Sequence, residues 1–236
     1  MKSNVAIIGK GKWGYILKKK LQKISNVKIF IGKKYSTLDY ENIDWVFIAT
    51  PDNTHYQVIK FFLTKDLNIF CEKPLVRNSI IAENIFKKKK NKKKNVYVGD
   101  LLTFVKKKIE LKKENEIFRS KRAKYNMKEA LYKLAYHDFY FLYKYLNKHK
   151  NIIEKKFQNK KLVINISNKF KKFRFTYDFN INKKVHTYNS INITKNEDPL
   201  KRMLLNLLKG KINYKINQNK SLFALKLIEK ILKKKN

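Results

Sequence analysis

The sequence predicts an α/β protein in two parts: a doubly wound, mostly parallel domain over residues 1–99, then an α+β domain with a mostly antiparallel sheet over residues 100–236. Three observations carry this. The chain opens on a short apolar run, Val5-Ala6-Ile7-Ile8, that breaks into a glycine-rich turn and leads straight into a helical pattern. Apolar runs and helical patterns then alternate as far as Gly99, as βα repeats do. Beyond Lys160 the apolar residues alternate with period two, as in Phe173, Phe175, Tyr177 and Phe179, which predicts strands with one covered face.

The first turn reads G-x-G-x-x-G at Gly9, Gly11 and Gly14. A turn of this kind needs one glycine for a tight bend, one where a pyrophosphate must approach the backbone, and one where helix packs on strand. The unpaired N–H groups of the helix that follows favour negative charge. Tyr15, Ile16, Leu17 and Leu21 continue the helix, so the context fits the dinucleotide-binding turn of a Rossmann domain. Val27 to Ile31 is the second strand, and at its end stand Gly32, Lys33 and Lys34 in place of the acidic residue that would hold a ribose. NAD and NADP both stay open, with lysine leaning towards a 2′-phosphate.

Asp44 to Ala49 is a continuous apolar run, expected of a strand covered on both faces. It ends in Thr50-Pro51-Asp52-Asn53-Thr54-His55, a loop that starts the helix Tyr56 to Leu63 and should lie beside the glycine turn. His55 is either a ligand contact or an ordinary neighbour of the helix start. Asn68 to Cys71 is the next strand, running into the elbow Glu72-Lys73-Pro74. Proline restricts its own backbone and that of Lys73, and a lysine held there can serve as acid or base. The helix Ile80 to Lys90 and the strand Val96 to Gly99 close the first domain.

The second part carries a broad apolar helix over Met127 to Leu146 with His137 on its face, strands over Leu162 to Ile166, Phe173 to Phe179 and Val185 to Ile193, and closing helices over Pro199 to Lys209 and Ser221 to Lys233.

Lys+Arg 57 against Asp+Glu 18 gives a formal charge of +39. Such a charge suggests a polyanionic partner, yet only Arg77, Arg119, Arg122, Arg174 and Arg202 are arginine, the residue that bidentate phosphate recognition favours. Lysine together with Asn, Ile, Phe and Tyr is an AT-rich codon signature, so no specific nucleic acid is expected. Runs such as Lys87 to Lys90 and Lys92 to Lys94 read as a solvated helix end and loop. The lone Cys71 excludes a disulfide framework and reads as a buried strand thiol. No metal site is expected, no membrane span, and a cytoplasmic location.

The motifs G-x-G-x-W-G at Gly9 to Gly14, A-T-P-D-N-T-H at Ala49 to His55 and E-K-P at Glu72 to Pro74, in this order, resemble the Gfo/Idh/MocA dehydrogenases. Gly99-Asp100-Leu101-Leu102 resembles that family's crossover into its second domain, Ser120-Lys121-Arg122 its short strand ending in a substrate-facing arginine, and Leu134 to Phe139 its "apolar-A-P-H-D-I" helix. The subgroup includes UDP-sugar dehydrogenases of surface-polysaccharide synthesis. The resemblance implies an NAD(P)-dependent oxidoreductase acting on a sugar or nucleotide-sugar hydroxyl. Lys73 and His137 become the catalytic candidates. Gly9, Gly11, Lys12, Trp13, Gly14, Thr50, Pro51, Asn53, His55, Glu72 and Lys73 fall on the cofactor side, and Arg122 and Lys133 on the substrate side. It also implies a homodimer or homotetramer through the open face of the second sheet, and a chain trimmed mostly around residues 106–118 and in the C-terminal sheet. Two positions depart from the pattern: Tyr136 replaces the usual proline, and Lys133 stands one helical turn before His137 where an aspartate is usual. A cation there disfavours an imidazolium, and the alternative reading is a noncatalytic, cofactor-binding relative.

Overall fold

The computed structural model describes residues 2–90, 94–193 and 198–234. They form two compact units, residues 1–100 with 200–225, and 101–199 with 226–236. The chain passes between them after residues 100, 199 and 225.

The first unit is a five-stranded parallel sheet of order β2-β1-β3-β4-β5, built from β1 (Asn4–Ile8), β2 (Asn26–Ile31), β3 (Trp45–Ile48), β4 (Asn68–Cys71) and β5 (Val96–Val98). Helices α1 (Lys12–Leu21), α2 (His55–Phe62) and α3 (Ser79–Lys90) connect them. Val5 to Ile8, Val46 to Ile48 and Ile69 to Cys71 are buried to 0% exposure, the two-sided burial that the continuous apolar runs predict. Cys71 is among them, and burial, helped by the Glu72 charge, pushes its thiol well above the ordinary range.

The exposed edge of this sheet is closed from within the same unit. Helix α8 (Tyr214–Lys233) presents Asn217, whose Oδ1 accepts from the Val98 N–H and whose Nδ2 donates to the Val98 carbonyl, both at 2.9 Å. One amide side chain thus does for β5 what another strand would do. The Lys87 to Lys90 run is not wholly solvated: Lys89 is 1% exposed, and its ammonium donates to the carbonyls of Phe62 and Lys65, satisfying the otherwise orphaned end of α2. Lys92 and Lys93 of the following run lie outside the described residues.

The second unit carries a six-stranded sheet of order β11-β10-β6-β9-β8-β7. Its strands are β6 (Glu114–Ser120), β7 (Ile152–Gln158), β8 (Lys161–Ser167), β9 (Lys172–Asp178), β10 (Val185–Tyr188) and β11 (Ile191–Asn192). The pairing is antiparallel except between β6 and β9. The stretch around 106–118, expected to be trimmed, supplies β6 near the middle of the sheet. Phe173, Phe175, Tyr177 and Phe179 are all buried on one side, as their alternation predicts. Two hairpins turn on pairs with positive φ, Asn159-Lys160 (49° and 55°) and Asn189-Ser190 (46° and 69°). Two-residue turns of this hand follow the strand twist, and asparagine tolerates the conformation better than most residues.

The helix predicted over Met127 to Leu146 is interrupted. A capping box between Asn126 and Glu129 starts α4 (Met127–Ala130), a π-turn follows over Leu131–Ala135, and α5 (Tyr136–Phe141) and α6 (Tyr143–Leu146) complete it. Helix α7 is Pro199–Leu208.

Candidate functional site

In the first unit, the strand ladder continues one residue past each carboxyl end. The N–H of Gly9 donates to Ile31 O, that of Ala49 to Ile8 O, that of Glu72 to Ile48 O and that of Gly99 to Cys71 O, at 2.8–2.9 Å. The glycine turn, the Thr50 loop and the Glu72-Lys73-Pro74 elbow are thereby set side by side along the edge where open parallel sheets bind ligands.

The three glycines of the turn have different neighbours. Gly9 has φ +119°, and a Cβ there would lie 2.6 Å from the main chain of Ala49. A Cβ on Gly14 would lie 1.7 Å from the Gly9 carbonyl oxygen. Gly11 is exposed, caps α1 with extended backbone, and a Cβ there would meet nothing within 4 Å. The first two glycines let chain approach chain, while the third leaves open a cradle that a side chain would fill. No side chain caps α1, so its first N–H groups are left for an anion. The Thr50 hydroxyl, at the head of the neighbouring loop, is buried without a hydrogen-bond partner. An open cradle, an uncapped helix start and an orphaned hydroxyl beside them fit a dinucleotide. Lys12, Trp13, Pro51 and Asn53 are exposed around this edge.

His55 stands differently from the ligand contact that its loop position allows. It is 1% exposed, with Nδ1 2.8 Å from the Pro74 carbonyl and Nε2 2.9 Å from the Thr50 carbonyl. Each ring nitrogen faces a main-chain carbonyl of a different loop, so the ring sits between the Thr50 loop and the Lys73 elbow. Burial first of all pulls its pKa below the ordinary value; the carbonyls and the Asp52 charge oppose that. A second tie joins the same loops, Arg77 donating from Nε and Nη2 to Asp52 Oδ2 at 3.0 and 2.6 Å.

Lys73 is half-buried, and its bond to Pro74 is cis. Burial raises the neighbouring Glu72 carboxyl from 4.5 to about 6, against the opposing charge and backbone N–H of Lys73. Gly99 makes room for this group: a Cβ there would sit 2.9 Å from Phe70 and 3.4 Å from Glu72 Oε1.

In the second unit, the π-turn immediately precedes Tyr136-His137-Asp138. Such turns often mark functional segments of helices. His137 is half-buried, whereas Asp138 is 0% exposed and faces the sheet. Asp138 Oδ1 accepts from His186 Nε2 (2.8 Å) and from the Tyr188 hydroxyl (2.6 Å), and Oδ2 accepts from the Tyr177 hydroxyl (2.9 Å). Arg119 lies 3.8 Å from Oδ2 and donates to the Leu134 carbonyl within the π-turn. Burial alone would raise the Asp138 carboxyl; His186, Arg119 and Tyr188 outweigh it and hold the pKa below the ordinary value. Burial and the carboxylate push both tyrosine hydroxyls well up. Register explains the convergence: Arg119 pairs with Tyr177 on one side and with His186 on the other, all on one face.

This network escaped the sequence reading, which set its arginine at Arg122. The strand ends at Ser120, and Arg122 lies beyond it, exposed, lining a cavity of about 490 Å³ with Ala123, Lys124, Lys160, Phe179 and Asn180. The signal that could have found Arg119 is alternation: with Ile117 inward, Arg119 must be inward too. Lys133 has a carboxylate partner one turn earlier, Glu129 at 3.7 Å, and its ammonium lies 4.9 Å from the Tyr125 ring. Among the described residues, no group of three or more His, Cys, Asp or Glu could hold a metal ion, and no helix is long and apolar enough to cross a membrane.

Residues 17–100 match a family model, GFO_IDH_MocA, described as an oxidoreductase family with an NAD-binding Rossmann fold. The matched stretch lies wholly within the first unit. The match begins after the glycine turn, so that turn's geometry is an independent observation. Solved structures of Gfo/Idh/MocA oxidoreductases share the fold over both units. UDP-N-acetylglucosamine 3-dehydrogenase GnnA from Acidithiobacillus ferrooxidans is similar over 98% of this chain and 97% of its own, with a TM-score of 0.80 and 10% identity. The WlbA (WbpB) dehydrogenase from Thermus thermophilus, in complex with NAD and UDP-GlcNAcA, is similar over 99% and 95%, with a TM-score of 0.77 and 13% identity. A Gfo/Idh/MocA family oxidoreductase from Vibrio cholerae is similar over 98% of each chain, with a TM-score of 0.76 and 12% identity. At such identities the likeness is one of fold. No curated protein matches by sequence.

Proposed function

We propose that this protein is an NAD(P)-dependent dehydrogenase that exchanges a hydride between nicotinamide and a hydroxyl-bearing carbon of a sugar or nucleotide sugar, in the synthesis of surface polysaccharide. The single observation that carries the reading is the row of strand ends: an open cradle at Gly11 beside an orphaned Thr50 hydroxyl, with Lys73 on the next elbow. Gly9, Gly11, Lys12, Trp13 and Gly14 would hold the pyrophosphate side of the cofactor, with Thr50, Pro51, Asn53 and Glu72 along the same edge. When bound, the cofactor supplies the hydride acceptor or donor; the chain supplies alignment and proton transfer. Lys73 and His137 are the groups proposed to take the hydroxyl proton. Lys33 and Lys34 after β2, with no carboxylate at that strand end, keep NADP open beside NAD.

Arg122, Lys124 and Lys160 around one cavity support an anionic substrate, as a nucleotide sugar is. Lys133 is proposed for the substrate side with them. The outer face of the second sheet supports self-association, proposed as a homodimer or homotetramer. In a chain of charge +39, this face sets Glu114, Glu116, Glu154 and Asp178 against Lys156, Lys161, Lys172 and Arg174, with Phe118 and Val163 among them. The protein is proposed to work in the cytoplasm.

The test is a titration with NADH and NADPH at physiological salt, following nicotinamide fluorescence, and then hydride transfer across a panel of sugar nucleotides. Saturable binding with turnover of one sugar nucleotide is expected. Absence of binding to either cofactor overturns the reading. The Lys133 substitution favours a second reading, a cofactor-binding partner without catalysis; turnover abolished by Lys73→Ala at unchanged cofactor affinity removes it.

A further inference from the structure

His55 sits where two functional loops meet, and its chemistry is more specific than packing. Each ring nitrogen faces a carbonyl oxygen, an acceptor that only an N–H can satisfy. A neutral imidazole, the form that burial favours here, donates from one nitrogen at a time, so the ring bonds one carbonyl and faces the other, and which of the two it bonds is set by the tautomer. The acceptors belong to different strand ends. Thr50 O opens the loop after β3, against which the Gly9 backbone is packed, and Pro74 O closes the elbow that carries Lys73. Asp52, three residues before His55, takes Arg77 from the segment after the same elbow. A ligand that displaces the Thr50 loop therefore acts on the elbow through this ring.

We propose that His55 is a positioning residue: its ring couples the cofactor loop at Thr50 to the Lys73 elbow, so that a dinucleotide held on the first resets Lys73 on the second. This rests on the dinucleotide-binding reading above. The coupling is between two loops of one unit and needs no knowledge of the substrate.

The experiment follows the acetylation rate of Lys73 by mass spectrometry of the intact chain's peptides, with and without saturating NADH or NADPH. It uses the wild type, His55→Phe, His55→Gln and Arg77→Gln, with cofactor affinity measured by fluorescence alongside. In the wild type the cofactor is expected to change the Lys73 rate by at least ~5-fold, the lower end of ordinary coupling between sites. His55→Phe keeps an aromatic ring and loses both ring nitrogens; it is expected to bind cofactor while the rate ratio falls to about 1. His55→Gln restores one donor and part of the ratio, and it carries the test if the phenylalanine variant does not fold. Arg77→Gln cuts only the second tie and keeps the larger part of the response. A wild-type ratio in either folded His55 variant overturns the coupling, because the cofactor would then be shielding Lys73 directly. Cofactor binding with no change at Lys73 in the wild type also overturns it and leaves the dinucleotide reading standing. No binding by the wild type overturns both.

Discussion

Alanine at each of the three turn glycines should give opposite results in stability and in binding. At Gly9 a side chain meets main chain at 2.6 Å, on backbone with φ +119°. Strained backbone costs about 1–3 kcal/mol and overpacking about as much, so Gly9→Ala should lose roughly 2–6 kcal/mol. At roughly 2–4 °C per kcal/mol for a chain of this length, the melting temperature should fall by at least ~4 °C. Gly14→Ala should be worse, since the new carbon would lie 1.7 Å from a carbonyl oxygen and α1 would have to leave the turn. Gly11 has φ −81° and ψ 179°, which alanine adopts without strain, and nothing within 4 Å of its Cβ position. The entropy gained by removing a glycine and the poorer helix cap that alanine makes nearly offset each other, so stability should hold within ~1 kcal/mol. Yet Gly11→Ala, and more so Gly11→Val, should weaken NADH or NADPH binding at least ~10-fold, or ~1.4 kcal/mol, because the side chain enters the cradle. The assays are thermal melting by circular dichroism without ligand and nicotinamide fluorescence with it. A Gly11→Val protein that melts and binds like the wild type would refute the assignment of that space to the cofactor.

Three further outcomes are expected. Asp138→Asn leaves Arg119 and His186 facing a neutral amide in a buried site, and breaking a buried charge pair costs roughly 3–5 kcal/mol, measurable by chemical denaturation. In the wild type the lowered Asp138 pKa means that this stabilisation is present above the carboxylate's unfolded pKa and is lost as pH falls through the folded one. Glu72 has the opposite sign: its pKa, raised from 4.5 to about 6, makes the charged form costly above pH ~6, so Glu72→Gln should stabilise the unliganded protein at pH 8 by at most ~2 kcal/mol, with no gain at pH 4. For the second sheet, Phe118→Lys together with Glu116→Lys should shift sedimentation towards the monomer while leaving the melting curve of the monomer intact; an unchanged mass would remove the outer face as the subunit contact.

Much of the first unit was legible because its signals are local. A strand covered on both faces has to be apolar throughout, and a turn that bends back on a helix has to use glycine where carbonyl oxygens crowd, as at Gly14. The elbow at Pro74 and the loop at Thr50 could be placed by topology alone. The second unit hid more. Strands β6 and β7 carry Glu114, Glu116, Lys155 and Lys156, and so look like loop in a lysine-rich chain; their partners in the sheet, and not their composition, make them strands. The π-turn left no mark because Leu131, Leu134 and Ala135 sit in it as they would in an α-helix, and the Arg119 bond to the Leu134 carbonyl shows one group that the irregular turn exposes. The bond from Tyr188 to Asp138 alone joins positions 50 residues apart, beyond the reach of any local pattern.

Lys89 changes how the chain's +39 charge should be regarded. Compositional drift towards lysine has given the fold a stock of flexible cations, and some have been recruited as architectural parts: Lys89 gathers two carbonyls at the end of α2, Lys171 gathers those of Leu111 and Lys112, and Lys107 and Lys234 hold those of Asn192 and Ile153. Lysines in this protein are thus not interchangeable ballast. Charge-reducing redesign, or blanket methylation to aid crystallisation, would be harmless at solvent-facing Lys87 or Lys88 and would unpick a helix end at Lys89, one residue further on.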